Sequence, residues 1–200
     1  RKSFAKAVEK NGVIFESKRI YDDKVPGWIS NQLKELGYQI TPKASLLLSQ
    51  YVGSDLSKIM NEIGKMMINL EKGVLIDDRV IEENIGISKD YNVFELQDAL
   101  GERDVLKANR IINNFAANEK EHPFVMVIAN LYGFFAKIIK YHVTKDKSRN
   151  NVASVLGVNP FFVLGYQKAA KNYSYPNLRE IISILREYDL KSKGVGSNAK

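Results

Sequence analysis

The sequence predicts an all-α protein made of two helical domains, preceded by a short α/β remnant. Apolar residues recur at helical spacing along most of the chain after residue 20. Residues that start or stop helices stand at the ends of those stretches. Only one run, residues 13–15, resembles a buried strand, and a single strand cannot satisfy its own backbone hydrogen bonds. We therefore expect residues 1–20 to be the end of an α/β domain whose other strands lie outside this sequence.

Composition excludes several kinds of site. The 200 residues are 44% hydrophobic, which is enough for a sizeable core. There is no cysteine, so disulfides and thiolate metal sites are excluded, and the two histidines, His122 and His142, stand far apart. We expect no metal. Because the sequence starts without a signal-peptide pattern, we expect a cytoplasmic protein.

The positive charge is concentrated in the second half of the chain. Residues 1–90 carry 14 basic and 13 acidic side chains, whereas residues 91–200 carry 16 and 10. This bias favours contact with phosphate or with an acidic partner, although solubility alone also explains it.

The first helical domain is predicted over residues 21–90. Its helix-boundary residues are Pro26, Gly37, Thr41, Gly53, Ser54, Gly73 and Asp77. The third helix is predicted over residues 54–72, with Ser54 as its N-cap and Asp55 in its first turn. One face of that helix is apolar: Leu56, Ile59, Met60, Ile63, Met67 and Leu70.

The second helical domain is predicted over residues 91–200, after a linker at 86–92. We expect helices at 93–100, 105–118, 124–145, 152–156, 160–172 and 176–191. The run at 124–139 is nearly all apolar, but it is shorter than the roughly 20 residues of a membrane span and is followed by lysines. We interpret it as a helix buried on most of its sides, with no membrane contact.

Motifs for catalysis are absent from the sequence. It contains no phosphate loop, no G-x-G-x-x-G, no H-E-x-x-H and no G-x-S-x-G. Acidic pairs such as Asp77–Asp78 border predicted helices, where negative charge is stabilising. We therefore predict neither catalytic residues nor a cofactor site.

Residues 152–171 have the spacing of a helix-turn-helix. Ala153, Gly157 and Val163 match its small, turn and buried positions. The second helix, however, begins with Phe161 and Phe162 rather than with side chains that read base edges. Two helices packed inside a bundle is the favoured interpretation, and a DNA-binding module is the alternative.

A basic stretch precedes this segment. Lys145, Lys147 and Arg149 are candidate phosphate contacts. A solvated helix end explains them equally well, because cations stabilise a helix C-terminus.

The order of these segments resembles the delta subunits of the bacterial DNA polymerase III clamp loader. The resemblance covers essentially the whole chain, and each segment alone is a weak helical pattern. The segments that carry it are VPGWISNQLKELGYQITPKASLLLSQYVGSDLSKIMNEIGKM, VFELQDALGERDVLKANRIINNF, the proline-led helix at 124–141, VASVLGVNPFFVLGYQKAAKNYS and LREIISILREYDLKSK.

The resemblance implies an architecture and a role. Residues 1–20 would end an AAA+-like domain, residues 21–90 would form a three-helix lid, and residues 91–200 would form a helical collar. The implied role is a non-hydrolysing scaffold of the polymerase III holoenzyme that helps load the sliding clamp on primed DNA. Other loader subunits would bind the collar, for which Phe161, Phe162 and Tyr166 are the candidates, and the clamp would bind the N-terminal domain, most of which lies outside this sequence.

The resemblance also implies a test at Ser57. Relatives that hydrolyse ATP carry an arginine in the lid, soon after a Gly-Asp pair, to sense the γ-phosphate. Gly53, Asp55 and Leu56 match that pattern, but Ser57 stands at the arginine position. Lys58 would point about 100° away around the helix. The resemblance thus implies that the chain does not hydrolyse ATP.

Overall fold

The computed structural model describes residues 8–10, 12–13, 20–88 and 90–196. Between residues 20 and 196, the described residues form ten α-helices, two short 3₁₀ helices and one two-stranded sheet, arranged in two units. The first unit contains a 3₁₀ helix Asp22–Lys24, α1 Val25–Glu35, β1 Gln39–Ile40, α2 Pro42–Val52, α3 Leu56–Asn69, β2 Leu75–Ile76 and α4 Asp78–Ile85. The second contains α5 Val93–Glu102, α6 Val105–Ala117, α7 Phe124–Val143, α8 Arg149–Leu156, a 3₁₀ helix Pro160–Phe162, α9 Val163–Asn172 and α10 Tyr175–Ser192. The prediction of an all-α fold is confirmed.

The predicted α/β remnant at 1–20 falls mostly outside the described residues. Of its predicted strand, Ile14 and Phe15 lie outside them. Val13 is described, lies in no strand and is 95% exposed. The predicted strand therefore stays untested, because two of its three residues lie outside the described part of the chain.

The first unit has its own apolar core. Four helices pack around it, one more than the resemblance implied, and its fully buried members include Ile29, Leu33, Leu48, Ile59, Ile63, Met66, Ile76 and Ile81. Strand β1, which was not predicted, pairs in parallel with β2 so that Gln39 stands opposite Leu75. Two residues are too few to show strand periodicity in a sequence.

The N-terminus of α3 differs from its prediction. Asp55, not Ser54, is the N-cap, and its carboxylate accepts hydrogen bonds from the backbone N–H groups of Ser57 (3.1 Å) and Lys58 (3.2 Å). A carboxylate is the stronger acceptor at this end of a helix because the helix dipole adds to the hydrogen bonds. The helix also ends earlier than predicted, at Asn69, where Leu70 turns to an extended conformation.

The second unit is built around α7. Helices α8, α9 and α10 pack on it, with Phe134, Phe135, Ile138 and Leu178 in the shared core. A smaller cluster joins α5 to α6 through Leu96, Ala99, Ala108, Ile111 and Phe115. The prediction that α7 is buried on most sides is wrong, because its neighbours cover only part of its circumference and leave an apolar stripe exposed.

Helices α5 and α9 cross at close range. A Cβ added at Gly101 would lie 3.3 Å from the Ala169 Cβ and 3.4 Å from Phe134 Cζ. Side chains at the end of α9 also hydrogen-bond backbone carbonyls near the C-terminus of α5. Asn172 donates to the Gly101 carbonyl (2.8 Å), and the Tyr173 hydroxyl donates to the Leu100 carbonyl (2.7 Å). This contact fixes α5 on the bundle.

Candidate interaction sites

The helix-turn-helix segment folds as two packed helices. Helix α8 ends at Gly157, whose left-handed φ of 63° makes the turn, and Ala153 and Val163 are buried as their spacing predicted. The 3₁₀ helix is capped by Asn159, whose side chain accepts from the Phe161 N–H (2.9 Å). The geometry agrees with the favoured interpretation of a packed helix pair.

The three aromatic candidates for subunit contact lie in different environments. Phe161 is 55% exposed and stacks edge-on with Phe162, whose centroid is 5.2 Å away. Phe162 is half-buried against the core around α7. Tyr166 is only 8% exposed and its ring centroid lies 5.5 Å from that of Phe134, so the chain's own core covers it and leaves little of it for a subunit contact. Leu164, three residues after Phe161, is 60% exposed.

Two of the three basic candidates bind the chain itself. The Lys147 ammonium donates to the Tyr141 carbonyl and lies 4.0 Å from the centroid of its ring. Arg149 Nε donates to the Pro160 carbonyl (2.8 Å), which ties the start of α8 to the turn after it. Lys145 is exposed and stays a predicted phosphate contact. The first two side chains thus hold the loop after α7, a role their sequence did not indicate.

A second exposed surface lies on α7. Val125, Tyr132 and Val143 are exposed and spaced by seven and eleven residues, which places them on one side of the helix. Phe134, which faces α9, lies two residues beyond Tyr132 and so about 200° around the helix. We call these three residues the α7 stripe, and it points away from α9.

A cleft of about 1200 Å³ separates the two units. Its walls include Lys43 on α2, Asp98 on α5, Lys137 on α7 and Phe161. Burial raises the pKa of the Asp98 carboxyl, and the neighbouring Glu95 charge adds to that rise. Burial also lowers the pKa of Lys137, with a further contribution from Lys140.

An ion-pair chain that was not predicted from the sequence crosses the edge of this cleft. Lys43 Nζ lies 3.0 Å from Asp78 Oδ2 and 2.7 Å from Glu95 Oε1, and Lys107 Nζ lies 2.5 Å from Glu95 Oε2. Its members are spread over 65 positions of the chain from Lys43 to Lys107, so no local sequence pattern could have shown it.

Hydrogen bonds within the ion-pair chain favour the charged forms of Glu95 and Lys43. Burial alone would raise the pKa of Glu95, but hydrogen bonds from Lys107 and Lys43 hold it below its usual range. Burial alone would lower the pKa of Lys43, but its hydrogen bonds to Glu95 and Asp78 raise it.

Comparison with known proteins gives the family. The family model described as "DNA polymerase III delta subunit, C-terminal domain" matches residues 90–200, which is more than half of the chain and coincides with the second unit. The chain belongs to the DNA polymerase III delta subunit family. This agrees with the resemblance drawn from the order of its helical segments.

Individual relatives agree with the family. The chain is 25% identical over 190 residues to a probable DNA polymerase III subunit delta of Aquifex aeolicus, covering 94% of this chain and 54% of that protein. It is 26% identical to the DNA polymerase III subunit delta of Bacillus subtilis, covering 96% and 56%. The chain therefore spans just over half the length of these curated relatives.

A solved structure supports the fold. The Bacillus subtilis DNA clamp loader delta protein matches with a TM-score of 0.56 at 24% identity, over 100% of this chain and 58% of that one. The likeness extends across both helical units.

Proposed function

We propose that the chain is a scaffold part of a clamp-loader delta subunit, with the first unit as its lid and the second as its collar. The match of the delta C-terminal domain to residues 90–200 carries this proposal. In this role the subunit helps to load the sliding clamp on primed DNA in the cytoplasm. The clamp and the DNA meet the assembled loader, and this chain supplies contacts to other loader subunits.

Two different exposed apolar surfaces on the collar support a scaffold role. A subunit between two unlike neighbours needs two unlike patches, because heterologous contacts join different surfaces. Phe161 and Leu164 form one patch, and the α7 stripe forms the other, on the far side of α7. Large exposed apolar side chains grouped in this way are typical of protein contact sites.

We further propose that the lid performs no ATP hydrolysis. Ser57 is exposed in the first turn of α3, and its backbone N–H is held by Asp55. Its short neutral side chain cannot supply the charge that an arginine brings to a γ-phosphate. Lys58, the neighbouring cation, stands about 100° away around the helix.

Co-elution of the chain with the other subunits of a bacterial clamp loader tests the proposal. We expect a stable complex in size-exclusion chromatography at moderate salt. Phe161→Ser and Tyr132→Ser should each weaken assembly by about tenfold, as truncation of a buried aromatic contact does. Ile68→Ser, which changes an 82% exposed residue of the first unit, is the matched control and should leave assembly unchanged. Separate elution of the unaltered chain would refute the proposal.

A further inference from the structure

The two units touch through few contacts. Within the residues that the structure describes, no apolar core cluster contains side chains from both units. Two side-chain contacts that do cross are Lys43 to Glu95 (2.7 Å) and Gln50 to Asn130, whose side-chain amides lie 3.4 Å apart. The orientation of the units therefore depends on polar contacts at the edge of the cleft.

Each member of the Lys43–Glu95 pair has a second ion-pair partner. Its lysine also binds Asp78 of its own unit, and its glutamate also binds Lys107 of its own unit. The Glu95 side chain is only 13% exposed, so leaving it unpaired would be costly. With Lys107 beside it, however, Glu95 keeps a cation when Lys43 leaves, and Lys43 keeps Asp78.

We propose that Lys43–Glu95 is a reversible latch between the two units. When it opens, the units swing apart across the cleft and neither charge loses its last partner. Closure restores a bond between two partly buried groups that stay ionised at neutral pH. The latch is thus stable enough to set one orientation and weak enough to release it, whatever assembly the chain joins.

Distance measurements between the units test the latch. The chain has no cysteine, so Asn61→Cys on α3 and Arg186→Cys on α10 create two unique sites for nitroxide labels, both at exposed positions. Double electron–electron resonance then reports the distribution of distances between the units. Lys43→Met in this background should raise the open population by about two- to fivefold, the effect expected for one partly exposed ion pair.

Salt gives a second readout that needs no substitution in the latch. Raising the ionic strength from about 0.05 M to 1 M shortens the Debye length to about 3 Å and should broaden the distribution in the labelled chain with its latch intact. In Lys43→Met the same change should have little effect. The far-ultraviolet circular dichroism of each variant verifies that both units remain folded.

Lys107→Met and Asp78→Asn are the matched controls. Each removes an ion pair within one unit and leaves the latch in place, so neither should broaden the distribution. In Lys107→Met, opening would leave Glu95 without a cation. In Asp78→Asn, it would leave Lys43 without a carboxylate. The closed state should therefore be favoured in both variants. Equal broadening in these controls and in Lys43→Met would overturn the proposal, and so would a distribution that is insensitive to salt and to Lys43→Met.

Discussion

Replacing Ile138 with alanine should destabilise the second unit strongly. Ile138 is fully buried in the C-terminal half of α7, in the core shared with α8, α9 and α10. Alanine removes three carbon atoms, worth about 2.4 kcal/mol at about 0.8 kcal/mol for each buried methylene. The cavity left behind adds to this loss, so we expect about 3–4 kcal/mol in the free energy of unfolding.

Met126→Ala is the matched control on the same helix. Met126 is 57% exposed, so its truncation leaves little cavity and should cost less than about 1 kcal/mol. The contrast with Ile138 tests whether α7 buries one face and exposes another.

Urea denaturation with two probes measures the effect. Circular dichroism follows both units, whereas the only tryptophan, Trp28, lies in α1 and reports on the first unit. At about 1.5 kcal/mol per molar urea, Ile138→Ala should lower the midpoint of the second unit by about 2 M. The Trp28 midpoint should stay unchanged, because the core clusters of the two units are separate. A loss of less than about 1 kcal/mol in the free energy of unfolding would show that Ile138 is not packed in the core. An equal shift of the Trp28 transition would show that the two units do not have separate cores.

Three further predictions concern the first unit and the cleft. Gly53 has φ 81° and ψ −155°, a conformation that almost only glycine adopts, so Gly53→Ala should cost about 1–3 kcal/mol by the Trp28 transition. Gly64→Ala, inside α3 with open space around its Cβ position, should instead stabilise the unit by about 0.5–1 kcal/mol. Because burial raises the pKa of Asp98, its charge destabilises the fold above that pKa and the cost disappears as the pH falls. Asp98→Asn should therefore raise the urea midpoint at pH 7 and leave it unchanged at pH 3; a gain of equal size at both pH values would contradict this.

Several helix boundaries could be predicted because the signal is local. Thr41 and Asp77 each cap a helix as expected, with the side-chain oxygen accepting a backbone N–H two or three residues later. At α3, two neighbouring residues could both cap, and sequence alone did not show that Asp55 rather than Ser54 would accept the bonds.

Properties that depend on packing between distant segments could not be predicted. The apolar character of α7 was plain, but which of its residues face solvent depends on where α8, α9 and α10 lie. Tyr166 and Phe161 have similar chemistry and stand five residues apart, yet one is buried and the other exposed. Lys147 and Arg149 were predicted as phosphate contacts. In the structure they donate to the backbone carbonyls of Tyr141 and Pro160, and these partners come into reach only when the loop folds.

Native mass spectrometry of the chain mixed with the other clamp-loader subunits tests the scaffold role most directly. We expect a complex in which this chain is present together with at least one other loader subunit. Phe161→Ser and Tyr132→Ser should reduce its abundance, and Ile68→Ser should not. Detection of the folded chain only by itself, across a range of protein and salt concentrations, would contradict the scaffold role.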